Sequence, residues 1–111
     1  NQNSYEEAVN IPNTGYITNL PEGAIVEVPA VLGSEGPLGL SCGKLPEPIA
    51  ELCRRQTLIT ELTVRAIVEE DKKLALEALA LDPMIDDLEV ARNILDEYLT
   101  VFDPYLKYKL R

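Results

Sequence analysis

The chain has 111 residues, of which 46% are hydrophobic and 26% charged, and this size and composition suit one compact unit. Nineteen acidic residues against ten basic ones give a net charge of −9, which repels nucleic acid and anionic lipid surfaces at long range. No run approaches the roughly 18 consecutive apolar residues of a membrane span, so we expect a soluble protein without nucleic-acid or membrane partners.

Residues 1–46 hold most of the glycine and proline, and their pattern predicts short antiparallel strands joined by turns. Val9 and Ile11 alternate with a polar residue, and the β-branched run 24–28 is closed by Pro29, so two strands are expected. Between them, "PNTG" and "LPEG" carry proline and glycine as β-turns do. The following stretch, "GSEGPLGLSCGKLPEP", predicts either a short hairpin or an irregular loop.

Residues 47–111 predict three helices. The first follows Pro48 and runs to about Glu69, because apolar residues recur there at three- and four-residue steps, at Ile49, Leu52, Cys53, Ile59, Leu62, Ala66 and Ile67. The second, "KKLALEALALD", begins at the Glu70-Asp71 pair and is stopped by Pro83.

The third helix is predicted from Asp86 or Asp87 as its N-cap to Pro104. Its apolar stripe consists of Leu88, Ala91, Ile94, Leu95, Tyr98, Leu99 and Phe102. We expect the apolar positions of all three helices to pack into the core. The predicted fold class is therefore α+β, with short antiparallel strands followed by three packed helices.

The residue types that usually carry catalysis are scarce. The chain contains no histidine, which excludes Ser-His and Cys-His nucleophiles and the commonest acid–base group. Paired acids lie beside predicted helix ends and are interpreted as solvated surface. Cys42 and Cys53 lack a Cys-x-x-Cys spacing, and two cysteines are few for a secreted scaffold, so we expect thiols in a reducing cytoplasm.

One stretch carries a family signature. "VNIPNTGYITNLPEGAIVEVPA", residues 9–30, resembles a strand-turn-strand segment in the C-terminal part of family 4 glycoside hydrolases. In that segment an Asn-x-x-Asn-x-Gly-x-Ile-x-Asn/Gly-Leu-Pro run leads into Val-Glu-Val-Pro. The matching positions are Asn10, Asn13, Gly15, Ile17, Asn19, Leu20, Pro21, Val26, Glu27, Val28 and Pro29.

Later stretches resemble the same family in order, so that the resemblance covers nearly the whole chain. They are "GKLPEPIAEL", "ITELTVRAIVEEDKKLALEALALDP" and "LEVARNILDEYL". Asn19, where other members have glycine, is closer to the α-glycosidase members, such as α-galactosidase, α-glucosidase and α-glucuronidase, than to the 6-phospho-β-glucosidases.

The resemblance implies a C-terminal half of an enzyme whose fold is similar to lactate and malate dehydrogenases. In this family, bound NAD oxidises the sugar's 3-hydroxyl, and a divalent metal, typically manganese, polarises the ketone before a base removes the C2 proton. The metal-binding cysteine and histidine, the glycine-rich turn and the base lie upstream of this region, and Cys42 and Cys53 do not match the metal position.

We therefore expect residues 1–111, which begin at Asn1 rather than methionine, to be one unit and a C-terminal fragment that is inactive alone. Its expected partners are a glycoside substrate, the upstream half of the enzyme and further copies in a homo-oligomer. No residue of this segment is expected to be catalytic or to bind NAD or the metal.

Two residues are candidates for substrate binding. By resemblance, the polar turn would thread near the sugar pocket, where Asn10 and Asn13 can serve backbone and ligand together. The alternative is that both asparagines only cap turns through their side chains. Gly15 and the Leu20-Pro21 pair are assigned to backbone geometry.

Two other interpretations of the whole chain stay open. It could be a stand-alone helical protein-interaction module, which would be monomeric with a polar exterior, whereas a fragment would expose an apolar patch. It could also be a domain of a lactate or malate dehydrogenase relative, although those enzymes lack the Asn-Leu-Pro to Val-Glu-Val-Pro run.

Overall fold

The computed structural model describes residues 3–107 and 109–111. Three strands precede three helices and a final 3-10 turn, in the order β1 (Ser4–Pro12), β2 (Ile25–Gly33), β3 (Gly36–Gly39), α1 (Glu47–Val68), α2 (Lys72–Leu81), α3 (Leu88–Phe102) and Asp103–Tyr105. This order confirms the predicted α+β class. The chain divides into two compact units, residues 1–54 and 55–111. Within the described residues, no helix is long and apolar enough to cross a membrane.

The first unit is built on a three-stranded antiparallel sheet in the order β1-β2-β3. Side chains alternate between its two faces, and one face carries the buried apolar cluster of Ile11, Val26 and Val28. Ile17, from the connection between β1 and β2, completes that cluster. The core of this unit therefore lies between the sheet and its own long connection.

The prediction that Pro29 closes the second strand is wrong, because β2 continues through it to Gly33. The pairing register of β1 shifts between Glu6 and Val9, so that a β-bulge of β1 lies opposite this proline. Proline cannot donate to a ladder and is tolerated at bulges, where a ladder bond is already missing. Its carbonyl still accepts a bond of 2.7 Å from the N–H of Leu40.

Of the two predicted alternatives for the glycine-rich stretch, the hairpin is present. Gly33 pairs with Gly36, and a two-residue turn joins β2 to β3. Gly39 at the end of β3 is buried, and a Cβ built there would lie 2.6 Å from Ile11 Cδ1 and 2.8 Å from Tyr16 Cζ. A side chain at this position would therefore collide with the core.

Local capping fixes both helix starts in the second unit. The Asp71 carboxylate accepts from the N–H groups of Lys73 and Leu74 at the start of α2, at 2.7 and 3.4 Å. Asp87, rather than Asp86, caps α3. The predicted helix ends at Pro83 and Pro104 agree with the observed ends to within one or two residues.

The end of the chain returns to the junction between α1 and α2. The N–H of Arg111 donates to the carbonyl of Glu70 at 2.9 Å, and the N–H of Lys72 donates to the carbonyl of Arg111 at 3.1 Å. Glu70 has a φ of +55°, a conformation that side-chain-bearing residues rarely adopt. The reciprocal bonds give this turn partners that a free helix end would lack.

The expected burial of the helical apolar stripes is only partly correct. The buried apolar residues of the helices are few and mostly small, namely Ala50, Leu62, Ala66, Ala78, Ala91 and Leu95. Larger predicted core residues are exposed, namely Ile49, Leu52, Ile67, Leu88, Tyr98 and Phe102. Periodicity identifies which face of a helix is apolar, but burial also requires an opposing surface, and the described residues supply too little of one.

Candidate functional site

Residues 13–24 connect β1 to β2, and we call them the asparagine loop. Of the two predicted site residues, Asn13 is the first residue of this loop and Asn10 lies just before it on β1. Two backbone bonds close it at its base, because Asn13 N–H donates to the carbonyl of Ala24 at 2.7 Å and Gly23 N–H donates to the carbonyl of Asn13 at 2.8 Å. The loop therefore leaves and re-enters the sheet at one point.

Asn13 organises the inside of this loop. Its side chain is 1% exposed, and Nδ2 donates to the carbonyls of Ile17, Leu20 and Pro21 at 2.9, 3.2 and 3.2 Å. Its Oδ1 accepts from the N–H of Ile17 at 3.1 Å. A buried amide is costly unless its donors and acceptor are paired, and here both ends are paired. The loop thus has a rigid interior.

A short parallel pairing attaches the loop to the segment before α1. Cys42 N–H donates to the carbonyl of Tyr16 at 2.8 Å, and Thr18 N–H donates to the carbonyl of Gly43 at 2.9 Å. Asn19 extends this pairing with its side chain. Its Oδ1 accepts from Leu45 N–H at 3.0 Å and its Nδ2 donates to the Leu45 carbonyl at 2.9 Å.

Arg54 joins the same loop to the first turns of α1. Its Nη1 donates to the carbonyl of Asn19 at 3.0 Å, and its Nη2 donates to Glu47 at 2.6 Å and to Glu51 at 2.9 Å. The bond from Arg54, followed by that from Asn19, holds the pKa of the Glu47 carboxyl below its usual 4.5. We call Asn19, Leu45, Glu47, Glu51 and Arg54 the loop anchor.

The two predicted substrate-binding residues lie in different surroundings. Asn10 is exposed on β1, opposite Glu27 of β2, whereas Asn13 is enclosed by its own loop. The hydrogen bonds of Asn13 are those that the turn-capping alternative expects, and a substrate contact of either residue stays a prediction. Gly15 has a φ of +97°, which agrees with the backbone role assigned to it.

Sequence reasoning did not identify the loop anchor. In the sequence Asn19 is only a subgroup marker, and no sequence signal assigns a role to Arg54. The bond from Asn19 to Leu45 spans 26 residues and the bond from Arg54 to the Asn19 carbonyl spans 35, so no local pattern reports these two contacts. The one local signal was that Asn19 lies between two turn motifs, in a connection that is unusually rich in polar residues.

The described residues do not form a metal centre. Across residues 3–107 and 109–111, no group of three or more His, Cys, Asp or Glu side chains could hold a metal ion. Cys42 is exposed and its Sγ donates to the carbonyl of Leu40 at 3.6 Å, while Cys53 is half-buried on α1. A resident metal does not fit this donor set.

The family follows from residues 1–85, which match the model described as the family 4 glycosyl hydrolase C-terminal domain. The chain belongs to glycoside hydrolase family 4. An α-glucosidase of Erwinia rhapontici is 36% identical over 105 residues, which are 94% of this chain and 23% of that relative. The resemblance stated from the motif is thereby confirmed.

Solved structures of the family agree with the fold. A 6-phospho-α-glucosidase from gut microorganisms, in complex with NAD and Mn2+, matches 97% of this chain with a TM-score of 0.91 and 31% identity. A Thermotoga maritima 6-phospho-β-glucosidase, with manganese, NAD+ and glucose-6-phosphate, matches 96% with a TM-score of 0.86 and 32% identity. This chain covers 24% and 26% of those two chains, about a quarter of each.

Proposed function

We propose that this chain is the C-terminal domain of a family 4 glycosidase that uses NAD and a divalent metal, with manganese expected. The observation that carries the proposal is the match of residues 1–85 to the C-terminal domain of the family. Two family 4 structures that resemble nearly the whole chain contain NAD and manganese, which supports the same cofactors here. In the whole enzyme these groups supply oxidation and reduction of the sugar and activation of the oxidised intermediate.

Residues outside this chain would hold the metal, because the described residues offer no metal centre. The family resemblance places the NAD-binding turn upstream of this chain as well. The chain would therefore contribute binding surface and position rather than reacting groups, and we do not expect it to be active alone. A sugar glycoside is the proposed substrate. The α-anomeric preference rests on Asn19 and stays a prediction, because α- and β-glucosidases both resemble the chain.

Within that enzyme, Asn10 is the residue of this chain that we propose to contact the sugar. Its amide is exposed and offers donors and an acceptor to hydroxyl groups, whereas the Asn13 amide is already used by the loop. We propose that Asn13 contributes to the pocket by shaping the loop. A direct contact between Asn13 and the substrate is less well supported than one made by Asn10.

We also propose that the remainder of the enzyme and a second copy are the partners of this chain in a cytoplasmic homo-oligomer. The exposed apolar side chains of the helices support a need for such partners, since contiguous apolar surface marks interaction sites. The cytoplasmic location is motivated by the exposed thiol of Cys42, which would be prone to oxidation outside a reducing compartment.

The test is an assay of the full-length protein that carries this chain. Nitrophenyl α- and β-glucosides, each with and without a 6-phosphate, should be compared with NAD and Mn2+ present, with NAD omitted, and with a chelator added. We expect hydrolysis that requires both NAD and the metal. Hydrolysis independent of both, or no hydrolysis of any glycoside, would contradict the proposed function.

Asn10→Ala and Asn13→Ala then separate binding from folding. We expect Asn10→Ala to raise the KM with an unchanged free energy of unfolding, because the side chain is exposed. A KM that stays at the wild-type value in Asn10→Ala would remove this residue from the substrate pocket.

A further inference from the structure

We infer that Arg54 is a positioning residue, which holds the asparagine loop at the place where the substrate pocket needs it. The inference rests on the proposed function and adds a residue that the family motif does not mark. Its physical basis is the loop anchor, in which one guanidinium bonds to the Asn19 carbonyl of the loop and to Glu47 and Glu51 of α1.

The bonds inside the asparagine loop and the bonds of the loop anchor have different effects. The bonds of Asn13 run from the loop to the loop itself, so they make its interior rigid. Arg54 bonds the loop to a helix, and it therefore affects where the rigid loop lies. If the guanidinium is removed, we expect the loop to keep its internal shape and its pairing with residues 42–45, but to be held less firmly relative to the start of α1.

The bonds made by Asn19 and Arg54 depend on each other. Asn19 Nδ2 reaches both the Leu45 carbonyl and Glu47 Oε2, at 2.9 and 3.4 Å, while Arg54 binds the other oxygen of the same carboxylate at 2.6 Å. Glu47 thus receives a donor from the loop and a donor from α1. Losing Arg54 leaves this carboxylate without its charged partner and weakens the orientation of both groups.

Arginine suits this position and lysine would suit it less. The planar fork offers several donors at fixed angles, so Nη1 and Nη2 can serve a carbonyl and two carboxylates together. An ammonium group is a point charge on a flexible stem and could keep the ion pairs while losing the carbonyl. Lysine is therefore expected to rescue only part of the function.

The expected effect lies in substrate binding more than in stability. Arg54 and its acidic partners are solvent-accessible, and ion pairs of this kind contribute little to the free energy of unfolding. A misplaced asparagine loop, in contrast, would change the shape of the proposed pocket and weaken substrate contacts that are made equally in the ground state and the transition state. Such a change raises the KM and leaves kcat nearly constant.

The experiment compares Arg54→Gln, Arg54→Lys and Arg65→Gln in the full-length protein. Arg65 is the matched control, because it is an arginine of the same helix whose exposed ion pair, to Glu69 at 2.8 Å, lies four residues along the chain. We expect Arg54→Gln to raise the KM for the glycoside about tenfold, the equivalent of one good polar interaction, with kcat within about twofold. Arg54→Lys should fall between Arg54→Gln and the wild type, and Arg65→Gln should equal the wild type.

Amide hydrogen exchange supplies a readout that does not need activity. The N–H groups of Thr18 and Leu45, which hold the loop to its neighbouring segment, should exchange faster in Arg54→Gln than in Arg65→Gln. The amide of Ile17, bonded inside the loop, should keep its wild-type rate.

Three outcomes would overturn the inference. They are an unchanged KM in an active Arg54→Gln protein, an equal rise of KM in Arg65→Gln, and unchanged exchange at Thr18 and Leu45. A wild-type protein without any NAD- and metal-dependent hydrolysis would instead overturn the proposed function. In that case the exchange rates alone decide whether Arg54 anchors the loop.

Discussion

Asn13 is the residue on which the asparagine loop depends, and its replacement should destabilise the protein. Asn13→Ala leaves the Ile17 N–H and its carbonyl without their buried partner, which costs about 1–3 kcal/mol for an unpaired buried group. Urea denaturation followed by circular dichroism measures the loss. Asn10→Ala is the control and should stay within about 0.5 kcal/mol of the wild type, as exposed substitutions do. Equal stability of the two variants would contradict the structural role of Asn13.

Glu47 should make the loop anchor sensitive to acid. Its folded-state pKa lies below the usual 4.5, because of the bonds from Arg54 and Asn19. The unfolded chain thus binds the proton at a higher pH than the folded chain does. The stabilising contribution is fully present above about pH 4.5 and disappears as the pH falls through the lower folded pKa.

The matched variant for this effect is Glu47→Gln, which cannot titrate. Denaturation midpoints of the wild type and of Glu47→Gln, measured from pH 7 down to pH 3, should differ at neutral pH and converge in acid. A difference that stays constant over this range would show that the carboxylate charge does not contribute. Glu69→Gln, which removes the exposed ion pair between Arg65 and Glu69, should leave the exchange of the Leu45 amide unchanged at every pH.

At the scale of single residues, the sequence predicted where the loop lies in the chain better than it predicted the contacts of each side chain in the loop. Asn13 and Gly15 were identified because a turn motif and a family motif fall on them together. The role of Asn19 and Arg54 could not be identified, because a bond across 35 residues depends on where the helix lies in space. The exposure of Asn10 follows from strand alternation, and its role toward substrate stays a prediction.

At the scale of an element, the start of α3 gives a direct comparison between two neighbouring acids. Asp87 accepts from the N–H groups of Glu89 and Val90 at 2.6 and 3.3 Å, and no such bond is present for Asp86 within the described residues. Asp87→Ala should therefore lower the free energy of unfolding by about 1 kcal/mol, the usual cost of a lost N-cap. Asp86→Ala should be close to neutral, and the reverse order in denaturation would place the cap one residue earlier.

The helices were predictable to within a few residues because their signals are local. Aspartate before the apolar run, proline after it and a three- or four-residue period act over one or two turns of chain. Pro29 misled the prediction of β2, because its tolerance depends on a bulge in the strand opposite. Burial of the helical stripes was overestimated because it also depends on another part of the structure. The pattern of a helix shows its apolar face but not the surface that would cover this face.

At the scale of the molecule, composition argued against some classes of partner, which stays a prediction, and a motif supplied the family. The net charge argued against nucleic acid, and the lack of histidine argued against common catalytic pairs, but neither observation points to a glycosidase. The ordered motif between Asn10 and Pro29 did so, and the family match over residues 1–85 confirmed it. The prediction that residues 1–111 form one unit stays a prediction, as does the sugar preference.

The exposed apolar side chains of the helices distinguish between two interpretations of the chain, a part of a larger enzyme and a stand-alone module. Among the described residues, Tyr98 and Phe102 of α3 are 60% and 44% exposed and stack with their ring centroids 5.6 Å apart. A soluble module would hide such surface, whereas a domain of a longer enzyme would present it to its partners. We therefore expect the 111-residue polypeptide, prepared by itself at pH 7, to bind a hydrophobic dye and to associate in sedimentation velocity.

The double variant Tyr98→Ser/Phe102→Ser tests where that surface lies. Because Tyr98 and Phe102 are 60% and 44% exposed, the variant should lower dye binding and association. Its loss of stability should be smaller than that of a buried substitution such as Leu95→Ala on the same helix. The full-length protein should bind less dye per polypeptide than the isolated chain does, since the proposed partners would cover part of this surface. A dye-negative, monomeric 111-residue chain would contradict the proposal that these residues work inside a larger enzyme, and it would favour the interaction module.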